Sequence, residues 1–302
     1  MKVERGPAAS SLRLLRPAKL RYMNASRLCL TLLSIPLVHH ALAAQTAVRP
    51  DTGVRPAPIV MRRDLLVLGG GAGLAFLAQR VDIRVRDEVR SAGWQGNGLL
   101  SAIEPVGDVW GGAAAVGAGL VLWGGGRYAR NATVAASGLR AIEAITVSGQ
   151  ITALLKGAIG RARPRVDSTD AWNVEFGRGF RSTSGDYKSM PSGHSTAAFA
   201  FAAAVTSEVA RRAPERARLV GITTYGLAGI TAYSRLHSNA HWLSDVTMGA
   251  AIGMASGWAV TRWHATRPGN RFDELMLGRA LSPLVTRAPN GGTLVGVSIA
   301  WR

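Results

Sequence analysis

Six apolar segments, at roughly 65–79, 105–125, 134–155, 194–210, 217–233 and 243–262, alternate with short polar connections. All six are rich in alanine and glycine, and none alternates with a period of two, so the pattern predicts helices and not strands. Several approach the ~17–25 residues that a bilayer requires, although the first is short and broken by Gly69-Gly70-Gly71. Small residues at helix contacts suit close packing in a membrane. An alanine-rich soluble bundle has the same composition. Residues 65–68 followed by Gly69-Gly70-Gly71-Ala72-Gly73 imitate a dinucleotide-binding turn. The glycine spacing is off by one and no second strand follows, so close helix packing is the better reading. After residue 272 the pattern changes: 284–286 and 293–301 flank Pro289-Asn290-Gly291-Gly292, the signature of a β-hairpin with an Asn-Gly turn. The expected fold class is all-α, a six-helix bundle embedded in a membrane, with a short C-terminal β-hairpin.

Before the bundle, residues 1–27 are basic and irregular, and 28–38 form an apolar run followed by Ala41-Leu42-Ala43. That order is the one a secretory signal peptide uses; the alternative is an uncleaved anchor. Residues 1–44 are therefore read as a leader with signal or anchor, 45–64 as a linker containing prolines, 65–131 as N-terminal helices, 132–265 as the domain bearing the chemistry, and 266–302 as a tail with the hairpin. The single cysteine, Cys29, lies in the leader and excludes an internal disulfide; its removal with the leader also excludes thiolate chemistry.

Charge orients the segments. Arg62 and Arg63, Arg127 and Arg130, the stretch 211–218 and the residues after Arg262 all fall on one side of a six-span protein, which the positive-inside rule makes cytoplasmic. A cleaved signal peptide conflicts with this layout, because it leaves residue 45 outside and inverts every later span. Either an uncleaved leader or a soluble bundle removes the conflict. In both cases the chemistry faces away from the cytoplasm: a bacterial-type inner membrane with a periplasmic site, or a soluble periplasmic protein. The formal net charge of +18 comes almost wholly from arginine, with lysine only at positions 2, 19, 156 and 188. No cationic stripe with interleaved aromatics accompanies it, which argues against nucleic acid as a partner.

Three blocks carry chemistry. The first holds Lys156 and, seven residues on, Arg163-Pro164. Two helical turns place both cations on one face at a helix end that Pro164 terminates, a clamp for phosphate oxygens; read alone, such a pair is more often a solvated terminus. The second, Pro191-Ser192-Gly193-His194, is expected to open a helix with Pro191 in its first turn, leaving the N–H groups of Ser192 and Gly193 free for an anion. His194 at that rim has the chemistry of a general acid, although a lone histidine at a helix start is more often structural. The third runs Ser234-Arg235, His241, Asp245. His241 and Asp245 are four residues apart on one helical face, where a carboxylate can fix the imidazole tautomer; the spacing alone is common by chance. Residues 165–190 link the first two blocks and include Trp172, Phe176, Arg178, Phe180 and Arg181. They read equally as a lid, a headgroup contact or an ordinary packed loop.

In order and spacing these blocks resemble the tripartite signature of the type 2 phosphatidic acid phosphatase (PAP2) superfamily, which includes the vanadium haloperoxidases. The resemblance covers roughly 132–265 and implies roles for the matching residues. Lys156, Arg163 and Arg235 grip the phosphate together with the backbone at Ser192 and Gly193. His241 attacks phosphorus, Asp245 orients it, and His194 protonates the leaving oxygen. It further implies a phosphohistidine intermediate, no metal and no cofactor. Met190, where many relatives carry an aromatic residue, and His237 in the third block depart from the pattern and bear on substrate fit.

The function expected is a metal-independent phosphatase acting on a phosphate monoester or diphosphate, with a lipid phosphate as substrate and the membrane as partner. The alternatives are a soluble periplasmic acid phosphatase of the same superfamily, a vanadium-dependent haloperoxidase, and a non-catalytic phospholipid-binding membrane protein. The last should have lost a member of the set, and none is missing.

Overall fold

The structure, a computed structural model, describes residues 56–278 and the strands 281–287 and 293–299. The expected signal or anchor at 28–44 and the hairpin turn at 288–292 lie outside the described residues.

Helix α1 (Arg62–Ala78) passes through a 3-10 turn (Gln79–Val81) into α2 (Asp82–Val89). A single turn, α3 (Ala92–Gln95), leads to α4 (Gly98–Val109), whose N-cap Asn97 accepts from the N–H groups of Leu99 and Leu100. A π-helical turn (Trp110–Ala114) then joins α4 to α5 (Ala115–Tyr128), with Gly112 at φ −99°, ψ −130°. The long α6 (Ala132–Ile159), the one-turn α7 (Arg178–Arg181), α8 (Gly193–Arg212), α9 (Pro214–His237), α10 (Leu243–Ala265) and α11 (Arg271–Leu277) follow. Strands β1 (Leu281–Arg287) and β2 (Thr293–Ile299) pair antiparallel, Leu281 opposite Ile299 and Arg287 opposite Thr293. Each of the six apolar segments is helical. The second starts earlier than its apolar run, because Asn97 caps it at Gly98, and α2 is a helix that the polar sequence there conceals.

Glycine and alanine set how closely the helices approach. On α10, a Cβ at Gly249 would lie 2.6 Å from the Ser192 carbonyl oxygen, at Gly253 2.4 Å from that of Thr196, and at Gly257 2.6 Å from the Ala203 Cβ. These three positions recur every four residues, so α10 and α8 meet backbone to backbone along one seam. On α6, a Cβ at Gly138 would strike the Trp123 nitrogen of α5 at 2.3 Å. Gly71, part of the apparent dinucleotide turn, faces Ala251 of α10 at 2.2 Å. That run of glycines is a helix contact, as the packing reading expected.

Successive long helices run in opposite directions. The end holding Arg62, Arg127, Arg212 and Arg262 is therefore remote from the end holding Lys156, His194, Arg235 and His241. At the basic end α11 is clasped by charge. Asp273 receives Arg140 at 2.5 Å, and His264 lies between Asp273 (3.1 Å) and Glu143 (2.6 Å).

Among the described residues, two continuous helical stretches, Arg62–Val89 of 28 residues and Gly98–Tyr128 of 31, are long and apolar enough to cross a membrane. The other long helices span 20 to 28 residues, but are less apolar or carry more charge. Large apolar side chains nonetheless face outward on several elements, including Leu66 and Leu74 on α1, Val109 and Val121 beside the π turn, Leu154 on α6, and Leu219 and Ile222 on α9. So many outward apolar side chains are unusual on a water-exposed surface and suit contact with lipid.

Candidate active site

Lys156 lies in the last turn of α6, and Gly160 ends that helix in a left-handed conformation (φ 63°). Glycine is the residue for such a C-cap, because a side chain there is strained. The helix therefore stops four residues before Pro164, and Arg163 is not on its face as expected. Residues 161–163 instead run extended against the linking loop. Ala162 N–H donates to Asn173 O (2.9 Å), Arg163 N–H to Asp186 O (2.9 Å) and Ser189 N–H to Arg161 O (3.1 Å). Loop and helix end are locked together at Gly179, whose absent Cβ would lie 2.1 Å from Lys156 O. The linking residues 165–190 pack against the end of α6 through these bonds and leave Trp172, Phe176 and Phe180 exposed.

The Lys156 ammonium donates to the carbonyls of Lys188 (2.5 Å) and Ser189 (3.1 Å). Burial, and then the neighbouring Arg163, push it down to about 7. Arg163 donates Nε–H to Gly185 O (2.8 Å) and Nη1–H to Ala240 O (2.9 Å), with Nη1 also 3.3 Å from His241 Nε2. Burial, followed by Arg165, lowers it to about 10, so it stays charged at neutral pH. Arg235, in the last turn of α9, accepts at its carbonyl from the N–H groups of Ala240 and His241 (both 3.1 Å), which ties the two halves of the third block together.

The second block differs from expectation in two ways. Pro191 precedes the helix, and Ser192 is the N-cap, its hydroxyl facing Ser195 N–H at 3.5 Å. The Ser192 N–H is not free for an anion, because it donates to the Asp245 carbonyl at 2.9 Å. Gly193, the first residue of the helix, has the Lys156 side chain beside it: a Cβ there would meet Lys156 Cε at 3.7 Å. Its N–H heads the orphan donors of the α8 dipole.

His241 is buried, and burial, the largest cause, lowers its imidazole to about 3 against the opposing pull of Asp245. The ring is therefore neutral at physiological pH. Its Nε2 faces the Arg163 guanidinium, which can only donate, so the ring proton belongs on Nδ1. Nδ1 makes no hydrogen bond and lies 3.5 Å from Asp245 Oδ2, a loose contact of the kind that tightens when substrate fills a site. Asp245 is fully buried. Its Oδ2 accepts from Ser189 Oγ–H (2.5 Å) and Trp242 N–H (2.9 Å), and its Oδ1 from Arg161 Nη1–H (2.6 Å).

Arg161 is the residue that the charge pattern did not single out. It is 1% exposed and bridges Asp245 to Asp82 at the start of α2 (2.8 Å), while donating to the Ser244 hydroxyl (2.6 Å) and the Ala171 carbonyl (2.6 and 2.9 Å). Asp82 in turn accepts from the N–H and hydroxyl of Ser244 (2.9 and 2.5 Å). Asp108 was missed as well. It is the single charged residue of the 105–125 segment, and an acid inside an apolar run is itself a functional signal. Its carboxylate pairs with Arg235, and it lies 3.6 Å from His194 Nε2.

All eight residues picked out by sequence thus lie where the ends of α6 and α9 and the starts of α8 and α10 come together. Among the described residues no three His, Cys, Asp or Glu side chains form a metal-ligand group. A neutral imidazole whose unprotonated Nε2 faces Arg163, with Lys156 nearby and a held carboxylate behind it, can attack an electrophilic centre bearing negative oxygens.

Residues 137–268 match the model of the PAP2 superfamily. Over 88 residues, 29% of this chain, the sequence is 38% identical to the lipid A 1-phosphatase of Porphyromonas gingivalis; the match spans 19% of that relative's length. The fold is similar to the crystal structure of the first transmembrane PAP2-type phosphatidylglycerolphosphate phosphatase, from Bacillus subtilis, with a TM-score of 0.52 and 18% identity. That similarity covers 70% of this chain and 100% of that one. The segment 137–268, which carries the three motifs in order, thus matches the PAP2 superfamily, and the helical fold around it is similar to that of a PAP2-type phosphatase.

Proposed function

We propose that the protein is a phosphatase that hydrolyses a lipid phosphate monoester or diphosphate through a phosphohistidine on His241. The observation that carries this reading is the His241 imidazole, neutral, with Nε2 turned to Arg163 and Nδ1 to Asp245. Lys156, Arg163, Arg235 and the Gly193 N–H hold the phosphate oxygens, and Nε2 attacks phosphorus. The bond to the leaving oxygen breaks with its electron pair, and His194 supplies the proton. A water then gives a proton back to His194 and attacks the phosphohistidine, returning His241 with inorganic phosphate. Three cations balance the phosphate charge, so the reaction proceeds without a metal.

A lipid substrate is supported by an apolar groove of about 480 Å³ between α1 and α10. It runs along α10 from Val246 to Met254, with Phe199 of α8 and Ala232 of α9 also in its wall. Eight residues of helix correspond to ~12 Å, enough for a stretch of acyl chain. The two relatives named above act, by name, on lipid A and on phosphatidylglycerolphosphate.

Phosphate release should be measured on the purified protein with lipid A, phosphatidylglycerolphosphate, undecaprenyl diphosphate and a soluble sugar phosphate, all in EDTA. Turnover of at least one lipid phosphate in EDTA, with inhibition by vanadate as a mimic of the pentacoordinate transition state, is the expected result. Activity lost in EDTA and restored by magnesium contradicts the mechanism. Preference for the sugar phosphate favours a soluble-substrate enzyme, and vanadate-dependent halide oxidation favours a haloperoxidase.

The protein is further proposed to sit in the inner membrane with several spans and its site facing the periplasm. Support comes from the arginine-rich helix ends opposite the site, and from exposed Trp172, Phe176 and Phe180 at the site end, where aromatic side chains suit the headgroup level. The protein should remain in the membrane through carbonate extraction. In a Cys29→Ser background, an impermeant thiol reagent on intact spheroplasts should label Ser168→Cys but not Arg216→Cys. Labelling of Arg216→Cys alone reverses the orientation, and extraction into carbonate favours the soluble alternative.

A further inference from the structure

Asp108 is placed to act on the acid of this reaction. It lies in the last turn of α4, four residues after Glu104, and α4 gives way to the π turn directly beyond it. That turn brings the α4–α5 backbone against the second block. A Cβ on Gly111 would lie 2.6 Å from His194 Cβ and 2.5 Å from Thr231 Cγ2, and one on Gly112 3.8 Å from His194 Nε2. A side chain at Gly111 would not fit this close to His194, whereas one at Gly112 would make ordinary contact. The close approach carries the Asp108 carboxylate to 3.6 Å from His194 Nε2 and into contact with the Arg235 guanidinium, while half of its own surface stays open to the mouth of the site. Glu104 stands behind it, 4.0 Å from Arg235. Among the described residues Asp108 is the one carboxylate within 4 Å of the His194 ring. Burial disfavours an imidazolium there, and the other charged groups acting on that ring, Arg235 from α9, Lys156 from α6 and Arg163 from the extended segment, are all cations that repel it.

An acid that must donate a proton among three cations needs an anion beside it. We propose that Asp108 is a positioning residue that holds the His194 Nε2–H directed to the leaving oxygen, so that it serves substrates whose leaving group cannot depart as a free anion. The assignment rests on the phosphatase reading. In the reaction the phosphorus–oxygen bond breaks as the His241–phosphorus bond forms, and the Nε2 proton moves to the alkoxide as Asp108 loses its N–H partner. A nitrophenolate departs without that proton; a lipid alkoxide does not.

The test compares Asp108→Asn with wild type on two probes in detergent micelles, a dialkylglycerol phosphate and p-nitrophenyl phosphate. The expected result is a kcat reduced by about 10- to 100-fold on the alkyl phosphate, within the range that general acids contribute, and changed by less than about threefold on the nitrophenyl ester. Equal losses on both probes, or a rise in KM shared by both with kcat intact, would assign Asp108 to holding Arg235 and overturn the proposal, as would full activity on the alkyl phosphate. Absence of turnover by the wild-type protein on either probe would instead overturn the phosphatase reading on which it stands.

Discussion

Replacing His241 with alanine is expected to lower phosphate release by roughly four orders of magnitude or more while the bundle stays folded. Losses of this size follow when a nucleophile that forms a covalent adduct is removed. No neighbouring group can substitute. Lys156 is engaged by two carbonyls, and Asp245 is enclosed behind Trp242 and Ser189. The cavity left by one imidazole lies at the rim of the helices and not in the seam between them, so melting should change little. Asp245→Asn should fall between the two extremes, since an amide fills the same space but no longer holds the Nδ1–H tautomer firmly. Turnover in single-phase assays and far-ultraviolet circular dichroism check both halves of this expectation. Near-normal release by His241→Ala would remove His241 from the role of nucleophile.

Substituting Arg161 with methionine should destabilise the protein by about 3–5 kcal/mol, the cost of breaking a buried ion pair by removing one partner. Here one guanidinium serves two carboxylates, Asp82 and Asp245, and all three side chains are wholly buried. Without it two anions face each other in a dry interior, and Ser244 and the Ala171 carbonyl lose a partner. The Asp245 carboxylate, freed at Oδ1, no longer has a fixed orientation, so activity should fall as well. Thermal unfolding in detergent measures the first effect. If Arg161→Met melts with wild type, the bridge carries little stability, and Asp245 must be held by Ser189 and Trp242 alone.

The contrast between Arg161 and its neighbour Arg163 shows where sequence reasoning reaches its limit. Six helices were legible because alanine-rich apolar runs bounded by arginine leave few other readings. The three blocks were legible because their residues recur in a known order. Local rules then placed two helix ends wrongly. Pro164 was given the terminating role that Gly160 holds, since a left-handed cap leaves no mark beyond one glycine among 36. Ser192 N–H was assigned to an anion, although it is satisfied by a carbonyl 53 residues away in sequence. Arg161, Asp82 and Asp108 were missed for a related reason. Each takes its meaning from a partner on a distant element, and periodicity reports which face of a helix is buried without naming what it is buried against.

The backbone seam between α8 and α10 has a consequence for how accurately the chemistry can be aimed. The proposed acid, His194, rides on α8, and Asp245, proposed to steer the nucleophile, rides on α10. Where helices meet through interdigitated side chains, their separation drifts as rotamers change. Gly249, Gly253 and Gly257 leave no such layer, so peptide groups rest directly on one another. Van der Waals contact between main-chain atoms then sets the spacing across the seam, with no rotamer to change it. His194 and the Asp245 carboxylate are thereby fixed relative to one another by main chain alone.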